Sequence, residues 1–117
     1  MNRFVLAATL VARAALRYTP AGLPALDLSL KHESEVSEDG QPRKVSMEMK
    51  AVAIGAITQP LSALALGNGG LFAGFLTSTR NGRGLLFHIT SFDADPAPAV
   101  APDAADETLL SGSNQIK

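Results

Sequence analysis

The chain has 117 residues, no cysteine and a formal net charge of −1. That length favours one domain, large enough to bury a core without disulfide or metal. The missing cysteines exclude disulfides, thiolate zinc sites and a cysteine nucleophile, and they fit a reducing compartment. Split by region, residues 1–93 carry nine Lys/Arg and seven Asp/Glu, while 94–117 carry one Lys and four acids. The body is mildly basic and the tail acidic. Without a broad basic field, any nucleic-acid binding depends on where the few cations sit.

The N-terminus, MNRFVLAATLVARAALRYTP, opens like a signal peptide, with Arg3 before an apolar run. Arg13 and Arg17 interrupt that run, and the pattern continues as a strand, so no cleaved signal is expected. No segment reaches the roughly 20 apolar residues of a membrane helix, and the expectation is a soluble cytoplasmic protein. Residues 3–13 read as a first strand from their Phe, Val, Thr and Leu content and the turn that follows. Tyr18 to Pro24 reads as a loop with proline and glycine turn chemistry.

Residues 26–33 give the clearest signal. Leu26, Leu28, Leu30 and His32 alternate with Asp27, Ser29, Lys31 and Glu33, which predicts a half-buried second strand. Ser34 to Pro42 reads as a polar loop centred on Glu38-Asp39-Gly40. Alternation resumes in a third strand: Val45, Met47, Met49 and Ala51 on one face, Lys44, Ser46, Glu48 and Lys50 on the other. Residues 58–66 predict a short helix, with Thr58 or Gln59 as cap, Pro60 in the first turn and Gly67 as C-terminal glycine cap. Leu71 to Thr79 reads as a fourth strand, with Gly74 marking a bulge or bend. Arg80 to Gly84 is a hairpin turn, and Leu85 to Phe92 a fifth strand.

Five strands with a short helix between the third and fourth is the order of the OB-fold, an all-β Greek-key barrel. The folded domain is expected over 1–93. Residues 94–117, Pro/Ala-rich and acidic without a period, are expected to be disordered, with Leu109-Leu110 as a short apolar island.

Chemistry-bearing constellations are scarce. His32 and His88 lie on different strands without metal-ligand spacing and read as structural histidines. No motif surrounds Thr19, Ser29 or Ser62, so a Ser-His-Asp triad is unsupported. Gly67-Asn68-Gly69-Gly70 precedes a strand, whereas a phosphate loop needs a helix behind it. The acidic run Glu33, Glu35, Glu38 and Asp39 lacks a calcium-loop pattern. The chain reads as a non-enzyme needing no cofactor, metal or small-molecule substrate.

What remains is a binding surface. OB-folds bind oligonucleotides on the face of their second and third strands, between the first–second and fourth–fifth loops. Lys31, Lys44 and Lys50 fall on that face, Arg43 sits just before it, and Arg80 and Arg83 fall on the fourth–fifth loop. Tyr18 is the one ring expected to be exposed. Phe4, Phe72, Phe75, Phe87 and Phe92 all sit in apolar strands and are read as core. A binding site poor in aromatics would be weighted towards electrostatics. A protein–protein adaptor on the same fold, with weak DNA binding, is the competing reading.

Several segments carry a family resemblance. Asn2-Arg3, Arg17-Tyr18-Thr19-Pro20-Ala21-Gly22-Leu23-Pro24 and Leu30-Lys31-His32-Glu33-Ser34 are three of them. Glu38-Asp39-Gly40, Gly74-Phe75-Leu76 and Leu86-Phe87-His88-Ile89 are the others. Together they resemble the primosomal replication protein N (PriB) family, a branch of the bacterial single-stranded-DNA-binding proteins, over residues 2–92. The resemblance implies an OB-fold homodimer that binds single-stranded DNA at bacterial replication forks during replication restart. It also implies that the protein stabilises the PriA helicase on DNA and helps recruit DnaT. By position it carries DNA contact to Lys31, Arg43, Lys44, Lys50, Arg80 and Arg83. Gln41 and Ser46 stand where the family can place an aromatic, and the chain ends Asn114-Gln115-Ile116-Lys117, unlike the acidic tip with terminal Phe of the general single-strand binders. Strand one, apolar on both faces, is the expected dimer contact.

Overall fold

The structure is a computed structural model that describes residues 1–95. Its elements are β1 (Phe4–Arg13), β2 (Arg17–Tyr18), β3 (Pro24–Glu38), β4 (Gln41–Ile54), α1 (Thr58–Ala63), β5 (Gly69–Ser78) and β6 (Leu85–Ala94). The expected tail lies outside the described residues apart from Ala94 and Asp95, and Leu109-Leu110 lies wholly outside them.

β1 pairs antiparallel with both β5 and β3, β3 with β4, and β5 with β6. A short parallel contact, Ala51–Ala53 of β4 against Phe87–Ile89 of β6, closes the ring. The result is the predicted five-stranded barrel, with α1 between its third and fourth strands. β2 is an addition: Arg17 pairs with Ala25 and Tyr18 with Pro24, where the sequence suggested a loop from Tyr18. Pro24 can open β3 because a proline at a strand's first residue forfeits no interior ladder bond.

Period-two alternation fills the barrel. Leu10, Leu26, Leu30, Ala53, Phe72 and Phe87 are fully buried and form one cluster with Leu28, Ala51 and Ile89. α1 adds Leu61 to that cluster. The helix is shorter than predicted, ending at Ala63 with Leu64 already extended. Gly67 has φ 91° but is no helix cap, because it sits in the following turn, where Asn68 N–H donates to Ala65 C=O. Thr58 is not the cap either: Ile57 is, and the Thr58 hydroxyl donates to the Gly55 carbonyl. The helix end is satisfied from afar. The Arg13 guanidinium donates to the carbonyls of Leu61, at 3.2 Å, and Leu64.

The bulge expected at Gly74 is present as a register shift between Ala73 and Gly74 opposite β6. Ala73 pairs with Ser91 and Gly74 with Ile89, so Thr90 is the extra residue. The insertion reverses the alternation along β6. Phe87 and Ile89 point inward before it, and Phe92 packs on the core after it. A Cβ on Gly74 would lie 1.8 Å from the His88 carbonyl oxygen, so only glycine allows this approach of β5 to β6.

The largest departure from expectation is the polar stretch 34–42. It is no loop: β3 and β4 pair without interruption from Ala25–Ile54 to Glu38–Gln41. The turn is Asp39-Gly40 alone, with φ 52° and 78°, as a two-residue hairpin turn requires. Pairing of β3 with β1 ends at Lys31, so the distal part of this hairpin projects from the barrel as a two-stranded ribbon.

Candidate nucleic-acid interface

An open groove of about 520 Å³ crosses the outer face of β1, β3, β4 and β6. Its floor is set by register. Ala12 lies opposite Ser29, Ser29 opposite Lys50, and the parallel pair Ala51–Phe87 places Lys50 alongside Leu86. The Lys50 ammonium donates to the Ser29 hydroxyl at 3.2 Å. Asp27 lines one side, where the Arg17 guanidinium grips it with two bonds of 2.8 and 3.1 Å. Those hydrogen bonds, more than the charge, hold the Asp27 carboxyl below its ordinary range. The pair also ties β2, with the exposed ring of Tyr18, to the groove's edge.

The loop between β5 and β6 leads into β6, whose Leu86 lines the groove. It is held by Gly82 N–H to Thr79 C=O and Thr79 N–H to Gly84 C=O. The Asn81 side-chain oxygen accepts from the Thr79 hydroxyl at 2.7 Å and the Arg83 amide at 3.0 Å. Arg80 and Arg83 are exposed on this ordered turn.

The cations picked out in the sequence therefore separate. Lys50 lines the groove, while Arg80 and Arg83 are exposed on the loop that leads into β6. Lys44 shares the outer face of β4 but stands six residues up the ribbon, about 20 Å away at strand rise. Lys31 borders a second depression with Thr9, Glu33 and Asp95. Arg43 stands apart. Its odd spacing from Lys44 and Lys50 puts it on the other face of the ribbon, where its guanidinium meets Glu38 at 3.0 Å. Arg17–Asp27 and Arg43–Glu38 are the ion pairs among the described residues, so two cations are already partnered.

One aromatic needs correction. Phe72 and Phe87 are fully buried, and Phe4 and Phe92 pack against the core. Phe75 is not core: it is 38% exposed on the outer face of β5, stacked on His88 of β6. The signal was in the spacing. Phe72 and Phe75 are three residues apart on one strand, and an odd interval points them to opposite faces. His32 is structural, its Nδ1 paired with the Ala7 carbonyl at 2.6 Å and its Nε2 with the Ser34 hydroxyl at 2.8 Å.

Comparison with known proteins agrees with this architecture. Residues 2–91 match the family model described as "Another single-strand binding protein family". The replication restart protein PriB of Bordetella pertussis is 46% identical over 80 residues, covering 68% of this chain and 75% of that protein. PriB of Nitrosomonas europaea is 29% identical over 89 residues, covering 75% and 82%. The crystal structure of PriB from Ralstonia solanacearum superposes with a TM-score of 0.73 at 34% identity, over 80% of this chain and 97% of that one. The single-stranded DNA binding protein of Thermus aquaticus follows with a TM-score of 0.67 at 26% identity, over 85% and 52%. With the barrel, the groove and these matches agreeing, the chain belongs to the single-strand binding protein family, in its replication restart PriB branch.

Proposed function

We propose that this chain binds single-stranded DNA in the groove on the outer face of the barrel, acting in replication restart. The carrying observation is the groove itself. Its lining of Ala12 and Leu86 can lie against bases, with Lys50 beside them and Arg80 and Arg83 on the loop that leads into β6 to meet phosphates. Tyr18, 67% exposed, offers a stacking ring at the β2 end. Lys31 and Lys44 stand farther along the same two strands, each opposite a carboxylate in register, Glu48 and Glu35.

The same reading includes a homodimer. Residues 4–8 of β1 pair with β5 on one side only, because pairing with β3 begins at Thr9. A second copy of β1 can add to that open edge, consistent with the exposed Val5 beside it. Stabilising the PriA helicase on DNA and recruiting DnaT need a protein-facing surface apart from the groove. The ribbon supplies one, with Val36 47% exposed, opposite Arg43 in register and diagonal to Val45.

The test is fluorescence anisotropy with labelled single-stranded and duplex oligonucleotides, with sedimentation for oligomeric state. Binding should favour single strands and weaken with salt. Equal affinity for duplex would defeat the single-strand reading, and helicase capture without DNA binding would leave the adaptor reading in its place.

A further inference from the structure

Past Leu86 the outer face of the barrel continues to His88 and to Phe75, the ring that the sequence had assigned to the core. Phe75 and His88 are Cα partners on β5 and β6, and their rings stack with centroids 4.7 Å apart and planes 12° from parallel. The backbone fixes both rings. Gly74 lets β5 approach the His88 carbonyl more closely than any side chain would permit. The extra residue Thr90, whose hydroxyl donates to the Ala73 carbonyl at 3.3 Å, reverses the alternation behind His88. His88 therefore faces out while Phe92 turns in.

The stack's neighbours make it an extension of the groove. Across β4, His88 lies level with Val52, which is 3% exposed, and Lys50 is the next residue on that face. On the far side, Phe4 pairs with Gly74, and the Asn2 amide exchanges two bonds with the Leu76 backbone, of 2.6 and 3.1 Å. This holds Arg3, exposed, level with Phe75. One row thus runs from a cation through two stacked rings to an apolar residue, with Lys50 a step below.

We propose that Phe75, backed by His88, is a stacking site for a nucleobase of a single strand leaving the groove past Leu86, with Arg3 meeting a neighbouring phosphate. This rests on the reading of the groove as a single-strand interface. A phenyl face accepts any base, so the site adds affinity without sequence preference. It also adds a second ring to the stacking that Tyr18 offers, in a chain with one Tyr and no Trp.

The test uses the full chain with Phe75→Leu, which keeps an apolar side chain but removes the ring, and Phe75→Tyr, which keeps the ring. Circular dichroism checks that both fold. By the worth of one base–aromatic stack, Phe75→Leu should weaken oligonucleotide binding by about five-fold to a hundred-fold, and Phe75→Tyr should restore it. Photocrosslinking an oligonucleotide that carries 5-iodouracil should label a peptide containing Phe75 or His88. Wild-type affinity in Phe75→Leu, or crosslinks confined to the groove and Tyr18, would overturn the stacking site while leaving the groove reading intact. A wild-type chain that fails to bind single strands would overturn both.

Discussion

The charge arrangement makes a quantitative prediction that separates Arg80 and Arg83 from Arg43. Each phosphate contact on a single strand contributes about −0.7 to the slope of log affinity against log salt. Lys50, Arg80 and Arg83 at the groove together give a slope of about −2, a loss of about 20-fold between about 50 and 200 mM salt. Replacing both Arg80 and Arg83 with Ala should flatten the slope by about 1.4, leaving a loss of about three-fold over the same range. Arg43→Ala should leave the slope unchanged, because that guanidinium is already paired with Glu38 on the opposite face of the ribbon. The assay is anisotropy titration of one labelled oligonucleotide at four or more salt concentrations, with thermal melts to confirm that each variant folds. If Arg43→Ala flattens the slope as much as the double variant does, the strand runs along the ribbon's other face, and the groove assignment is wrong.

Two further outcomes follow from single interactions. Arg13→Ala removes the only side-chain donor to the Leu61 and Leu64 carbonyls among the described residues. The stability lost should be about 1.5–3 kcal/mol, seen as a lower urea midpoint at unchanged slope; an unmoved midpoint would mean that water replaces the guanidinium without penalty. The Arg17–Asp27 pair gives a pH signature. Asp27 titrates lower when folded, so its contribution is present above the ordinary carboxylate value of about 3.9 and is lost as pH falls through the folded value. Both side chains are about half exposed, so solvent screening keeps the effect small. Melts of wild type and Asp27→Asn should differ near neutral pH and converge in acid, and a gap that persists at pH 2 would assign it to something other than the carboxylate.

Local rules fixed most of the barrel. Alternation in Leu26–Leu28–Leu30 and in Val45–Ala51 could be read directly, since period two leaves one way to bury a face. Gly74 announced the bulge because close backbone approach needs a residue without Cβ. The same rules misplaced the stretch from Ser34 to Pro42. Its side chains bury little, so no hydrophobic pattern marks it, and only pairing between β3 and β4 along their full length makes it a ribbon. Asp39-Gly40 was the available signal, a dipeptide suited to positive φ at both turn positions.

The candidate site divides along the same line. Residue type and loop position were enough to single out Lys50, Arg80, Arg83 and Tyr18. Face assignment was not, and Phe75 shows why. Parity along a strand says that two residues point apart, but which side is core depends on closure of the sheet and on the bulge at Thr90, which reverses the phase midway along β6. The sequence by itself determined the elements, their order and the chemical character of each strand's two faces, because these follow from neighbours a few residues away. Only the tertiary structure decided which cations stand free, which ring is exposed, and that Arg13 caps a helix 48 residues distant, because those depend on contacts between strands far apart in the chain.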